Sequence, residues 1–173
     1  RPGPAGRGGP LPTERYYEEE GRAELTPRDF GILMHRVFEN AATTDEIYMA
    51  IEAMTQDGVL DEKEAPRLRE LVEKALADPV TAEWFGGRWQ VVRNENEIIL
   101  PGSGTTRRPD RVMTDGERAV VVDYKFGDRE TARHRKQIRE YLRLLRQMGY
   151  TRTEGYLWYV RLGRTERVEE KED

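Results

Sequence analysis

Apolar positions recur with two periods along this chain, and the change falls near Trp89. Thr26-Pro27-Arg28-Asp29 reads as a helix start, with proline tolerated in the first turn. Phe30, Leu33, Met34, Val37 and Ala41 then follow at helical spacing. Thr44-Asp45 opens a second helix with Ile47, Ala50, Ile51 and Met54 inward, ended by Asp57-Gly58. A third is expected from about Asp61 to Leu76 around Leu68, Leu71, Val72 and Ala75, and Asp78-Pro79 interrupts the chain before Val80 to Phe85.

From Trp89 the pattern becomes strand-like. Trp89 to Val92, Glu97 to Leu100, Thr105 to Met113 and Arg118 to Phe126 are expected strands, with Pro101-Gly102-Ser103-Gly104 as a turn. Val120-Val121-Val122 lacks polar alternation, which predicts a strand covered on both faces. Glu130 to Met148 reads as a long amphipathic helix with Ile138, Tyr141, Leu142, Leu145 and Met148 toward the core. Strands over Gly155 to Val160 and Thr165 to Val168 follow, and Gly127-Asp128 ends the preceding sheet segment. The long helix can cross over to a parallel strand. The expected fold is therefore α/β (α+β): a sandwich with a mixed central sheet flanked by helices and an N-terminal helical subdomain.

The chemistry concentrates in Arg108-Pro109-Asp110 and Asp123-Tyr124-Lys125. Side chains alternate along a strand, so Asp123 and Lys125 share a face that Tyr124 does not. With a tight turn centred on Asp115-Gly116, Asp110 lies opposite Val121 and diagonal to Asp123, on the same face. Two carboxylates can hold a hard divalent cation, and an adjacent ammonium can serve a water or a phosphate. That combination points to metal-dependent hydrolysis of a phosphodiester. The plain alternative is a surface hairpin whose acids are neutralised by Arg108, Arg111 or Lys125. Acids at the ends of central strands are costly unless paired or metal-bound.

Composition narrows the classes. The 173 residues suffice for one domain, and no apolar run approaches membrane-spanning length. Cysteine is absent, which excludes disulfides, thiolate zinc sites and an Fe–S cluster. No signal peptide is visible, so a cytoplasmic location is expected. The chain begins with Arg1, which suggests a segment of a longer protein. Net charge is −4, yet Thr105 to Arg146 holds twelve Lys/Arg against seven Asp/Glu. A basic segment around the acidic pair suits a polyanion. Its plain reading is the solvated face of a helix.

Other candidates cluster around this pair. His35 lies off the apolar stripe of the first helix, four residues after Gly31, a residue that costs about 1 kcal/mol in a helix. Close approach of a backbone or ligand would explain that glycine. Gln137 and Tyr141 share one face of the later helix and can reach toward the end of the Asp123 strand. Glu95, fifteen residues before Asp110, could add to the metal site, with Glu97 as its competitor.

Gly31-x-x-x-His35, Arg108-Pro109-Asp110, Asp123-Tyr124-Lys125 and Gln137-x-x-x-Tyr141 occur in the order found in the RecB-family nucleases of the PD-(D/E)xK superfamily. The resemblance runs from about Asp29 to Val160 and is closest to the C-terminal nuclease domain of UvrD/AddA-type helicase–nucleases. It implies a restriction-endonuclease-like fold and an Mg²⁺- or Mn²⁺-dependent deoxyribonuclease, expected to be an exonuclease acting on single strands delivered by a linked helicase in double-strand-break repair or recombination. His35, Asp110, Asp123 and the backbone carbonyl of Tyr124 would hold the ion, Lys125 would be the catalytic lysine, and Gln137 and Tyr141 would position it or the DNA. Arg108, Arg111, Arg133 and Lys136 are candidate DNA contacts. The expected partners are single-stranded DNA, the helicase domains of the same parent chain and a second nuclease or helicase subunit, with no membrane. The expected organisation is a linker or flexible arm over 1–25 and a single nuclease domain over 26–170, with a helical insert near 42–86 and a sheet core with its crossing helix over 88–168. The alternative to an exonuclease is a non-catalytic nucleic-acid-binding or protein-docking module of the same fold.

Overall fold

A computed structural model describes residues 27–95, 108–126 and 132–170. The expected arm over 1–25, the strand over 97–100, the turn over 101–104, the strand start over 105–107 and the exit at 127–128 lie outside the described residues.

Four helices come first. Helix α1 spans Pro27–Phe38, with the proline at its first position as the sequence predicts. Helix α2 spans Thr44–Gln56 and is capped by Thr43, whose side chain accepts from Glu46 N, while Glu46 accepts in return from Ala42 N. Helices α3 (Ala65–Ala75) and α4 (Pro79–Trp84) follow, the latter capped by the Asp78 carboxylate accepting from Val80 N. Strands β1 (Val91–Asn94), β2 (Arg111–Asp115) and β3 (Arg118–Lys125) form an antiparallel meander. Helix α5 (Ala132–Gln147) crosses to β4 (Arg152–Tyr159), parallel to β3, and β5 (Arg164–Val168) pairs antiparallel with β4. The described sheet has five strands in the order β1-β2-β3-β4-β5.

Period-two alternation divides the core between the two faces of the sheet. Met113, Val120, Val122, Tyr124, Tyr156 and Trp158 point into a core shared with α1 to α4. Val112, Ala119, Val121, Leu157 and Tyr159 point into a second core closed by Ile138, Tyr141, Leu142 and Leu145 of α5. The buried valines of β3 thus serve both layers, as their unbroken apolar run predicts. The segment read as an insert packs directly on the sheet: Trp84 and Phe85 join Phe38 and Trp158 in one aromatic cluster.

Two local expectations change. The β2–β3 turn is centred on Gly116-Glu117, not Asp115-Gly116, because Asp115 pairs with Arg118 and Gly116 takes φ 58°. Met148, expected in the core, is 58% exposed, because α5 ends at Gln147 and Gly149 turns the chain with φ 105°.

Candidate active site

The corrected turn moves Asp110 into a tighter position than the sequence reading assigned. Arg111 pairs with Val122, so Asp110 stands directly across from Asp123 on the face that α5 covers. The two residues clasp each other's backbone. Asp110 N donates to Asp123 Oδ1 at 3.1 Å, and Tyr124 N donates to Asp110 Oδ2 at 2.7 Å. Asp123 is buried, and the Asp110 side chain keeps only 11% of its surface.

Burial together with the Asp123 charge pushes the Asp110 carboxyl up to about 7. The Tyr124 N–H and the Lys125 ammonium oppose that rise, and Glu95 adds to it. Lys125 is buried, two residues along from Asp123 on the same face. Glu95 is exposed and its N–H donates to Asp110 O at 3.1 Å, so the three acids form a row across β1, β2 and β3.

His35 reaches this row from α1. Its Nδ1 lies 4.0 Å from Asp110 Oδ1, and its ring stands edge-on to Phe126, centroids 4.8 Å apart. Gly31 explains the approach: a Cβ there would stand 3.4 Å from Phe126 Cβ. Phe126 seats the imidazole, a role the sequence reading missed. The signal was available as an apolar residue directly after Asp-x-Lys, facing a helix with glycine one turn before its histidine.

In extended backbone the N–H and C=O of one residue point to the same side. Tyr124 N turns toward β2, whereas Lys125 O accepts from Val160 N on the β4 side. The Tyr124 carbonyl therefore faces the Asp110 side of the site. Its phenol points into the other layer, near the Arg111 guanidinium, and burial raises its pKa.

The remaining candidates divide. Tyr141 is buried in the α5 core, and Gln137 places Oε1 in a buried position with no hydrogen-bond partner among the described residues. Arg108, Arg133 and Lys136 are exposed. Arg111 is not available to DNA. It is 0% exposed and donates to Ala41 O at 2.5 Å, Ala42 O at 2.8 Å and Trp84 O at 2.7 Å, with Phe85 4.0 Å beneath its guanidinium. Strand alternation puts it on the opposite face from Asp110, inside the helical layer.

The donor set suits a hard cation. A positive charge between Asp110 and Asp123 would relieve the repulsion that holds the Asp110 proton, and imidazole nitrogen and backbone carbonyl are both competent ligands. Among the described residues no three His, Asp or Glu side chains converge into a full ligand cage. Mg²⁺ does not require one, because it keeps several waters and takes one or two carboxylates plus substrate phosphate oxygens.

The family model for the PD-(D/E)XK nuclease superfamily matches residues 12–173. No curated protein matches the chain. Among the described residues, no helix is long and apolar enough to cross a membrane. The chain belongs to the PD-(D/E)XK nuclease superfamily, so it is a nuclease-type hydrolase domain on a restriction-endonuclease-like fold, in a group whose members generally use divalent metals such as Mg²⁺.

Proposed function

We propose, starting from that membership, that this domain is a divalent-metal-dependent DNA exonuclease of the RecB type, akin to the nuclease domain of AddA-like helicase–nucleases and acting on single strands delivered by a linked helicase during break repair. The observation that carries the reading is the mutual clasp of Asp110 and Asp123 beside buried Lys125, with His35 4.0 Å from Asp110. The ordered set of His35, Asp110, Asp123-x-Lys125 and Gln137-x-x-x-Tyr141 supports the RecB placement, and the absence of cysteine sets it apart from the Fe–S-bearing members.

In this reading Asp110, Asp123, His35 and the Tyr124 carbonyl would hold the cation, with Glu95 as a further candidate ligand. The bound ion supplies charge neutralisation at the scissile phosphate and a more acidic water. Lys125 donates hydrogen bonds to the attacking water and to a nonbridging phosphate oxygen, in a site where burial strengthens them. The water oxygen bonds to phosphorus as the water gives a proton to solvent, the bond to the 3′-oxygen breaks, and that oxygen takes a proton from solvent, leaving a 5′-phosphate and a 3′-hydroxyl. Gln137 and Tyr141 orient Lys125 from α5. Arg108, Arg133 and Lys136 contact the backbone of the strand.

The test is hydrolysis of end-labelled single-stranded DNA in Mg²⁺ or Mn²⁺ by wild type, Asp123→Ala and Lys125→Ala. Each substitution is expected to lower the rate by about 10²–10⁴-fold with circular dichroism unchanged. Equal rates in all three proteins would overturn the proposal, and metal-independent DNA binding without cleavage would favour the docking module.

A further inference from the structure

We infer that the end of the sheet remote from the catalytic carboxylates carries a second nucleic-acid contact, a groove in which Arg88 and Arg152 take backbone phosphates and Trp89 stacks a base. The ligand class rests on the nuclease reading above; the groove itself rests on separate residues.

Strands β3 and β4 run parallel, with Arg118 beside Arg152 at their starts and Lys125 beside Tyr159 at their ends. Two adjoining clefts open at the starting end and share Arg118. The first, about 520 Å³, is lined by Arg88, Trp89, Glu83 and Asp115 among others. The second, about 380 Å³, is lined by Arg146, Arg152, Arg167, Thr153 and Glu154 among others. Five arginines thus line the clefts against three acids.

The acids are spent unevenly. Arg118 pairs with Glu83 at 2.7 Å and Glu154 at 2.6 Å, and it lies 4.9 Å from the Trp89 ring centroid. Arg146 pairs with Glu170 and Arg167 with Glu169, both on the segment after β5. Arg88 and Arg152 are exposed and have no ion pair among the described residues, one in each cleft. Next to Arg152, Thr153 Oγ1 is buried without a hydrogen-bond partner among the described residues, although a hydroxyl can donate to a phosphate oxygen. The indole is held in place by Trp89 Nε1 donating to Glu83 O at 2.9 Å.

Each feature alone is ordinary surface. Together they match what a single strand requires: cations along the backbone and a fixed aromatic plane for a base, indifferent to sequence. The five residues from Arg118 to Asp123 put the groove about 17 Å from the acidic pair at roughly 3.3 Å per residue. With phosphates at least about 3.4 Å apart along a strand, up to about five nucleotides bridge that distance. Length dependence is therefore the signature.

The experiment measures binding of labelled oligothymidylates in EDTA, about four and about twenty nucleotides long, across a salt series. Wild type and Arg88→Ala/Arg152→Ala are compared, with Trp89→Phe and Trp89→Leu as a second pair. The double substitution is expected to weaken long-strand binding at least about 10-fold and to flatten the slope of log K against log salt by about 1.4, at about 0.7 per phosphate contact. Hydrolysis of the short strand in Mg²⁺ is expected to be unchanged. Trp89→Phe should keep long-strand affinity and Trp89→Leu lose it. Unchanged long-strand affinity and slope, an equal loss of short-strand hydrolysis, or no long-strand binding by wild type would each overturn the groove. Failure of Asp123→Ala to reduce cleavage overturns the catalytic reading and leaves the groove standing, so the two failures are distinguishable.

Discussion

Asp110 and Arg111 are neighbours in the chain, yet they belong to two ionic clusters built on opposite faces of the sheet. Arg111 lies among helix ends, where three carbonyl oxygens accept from its guanidinium. Its charge is met mainly by backbone dipoles, with Glu46 acting on it only from a distance. Asp110 lies against another acid, and its carboxyl is pushed up to about 7 by burial and by Asp123. One cluster pairs its two terminal guanidinium nitrogens with backbone carbonyls, leaving Nε alone without a partner among the described residues, and holds layers together. The other is held under like-charge repulsion that a cation or a proton relieves. Burial of charge therefore does not mark a functional site; imbalance within the buried set does.

Replacing Arg111 tests the carbonyl-paired side and should give the largest change in stability. Arg111→Met leaves Ala41 O, Ala42 O and Trp84 O without their donor. At about 1–3 kcal/mol for each buried group left unpaired, a loss of at least about 3 kcal/mol is expected in urea denaturation. DNA affinity and its salt slope, measured where the variant remains folded, should match wild type. A flatter salt slope would return Arg111 to the DNA-binding set.

The repelled side should respond to pH instead. Asp110 ionises near its ordinary value of 3.8 in the unfolded chain and near about 7 in the folded one. Between those values the folded state binds more protons, so this group's contribution to stability falls as pH rises from about 4 to about 7. The loss is of the order of a few kcal/mol at about 1.4 kcal/mol per unit. Comparing Asp123→Asn with wild type isolates it from other carboxylates. The variant should lose part of this slope, since the neighbouring charge is gone while burial, the larger cause, remains, and Mg²⁺ should flatten it in wild type alone. Identical slopes in the two metal-free proteins would break the account of the repulsion.

These clusters also show what a sequence can and cannot display. The acids, the lysine and the histidine were legible because each stands where alternation or helical spacing makes it conspicuous. Their register was not, since either Asp115-Gly116 or Gly116-Glu117 can centre a tight turn, and a two-residue shift in pairing keeps every side chain on its face. Arg111 was misread although alternation already opposed it to Asp110. Its partners are backbone carbonyls, which every residue carries and no sequence marks. Met148 failed for a related reason: helical spacing extends past the point where Gly149 ends the helix.

A smaller effect separates the layers themselves. Gly155 lets α5 rest on β4, since a Cβ there would stand 2.4 Å from Ile138 Cγ2 and 3.2 Å from Leu142 Cδ1. Gly155→Ala should cost about 1–3 kcal/mol by overpacking. It should also displace α5, which carries Gln137 and Tyr141, so its cleavage rate should fall while the pH slope of the Asp110 pair persists. Thermal melts and single-strand hydrolysis on the same samples test both halves.

Gly31 is the subtlest position, because two effects oppose each other there. Alanine would gain about 1 kcal/mol of helix propensity in α1. Its Cβ would meet Phe126 Cβ at 3.4 Å, the near edge of ordinary van der Waals contact, so α1 and the end of β3 need give little. Net stability should therefore change by less than about 1 kcal/mol. His35 sits one turn further along the same helix with its ring against Phe126, so any shift of Phe126 is passed to the imidazole. Gly31→Ala should then weaken Mn²⁺ binding, read by calorimetry, while melting near the wild-type temperature. Unchanged Mn²⁺ affinity in Gly31→Ala, set against a clear loss in His35→Ala, would show that the imidazole tolerates the shift and that the glycine serves packing alone.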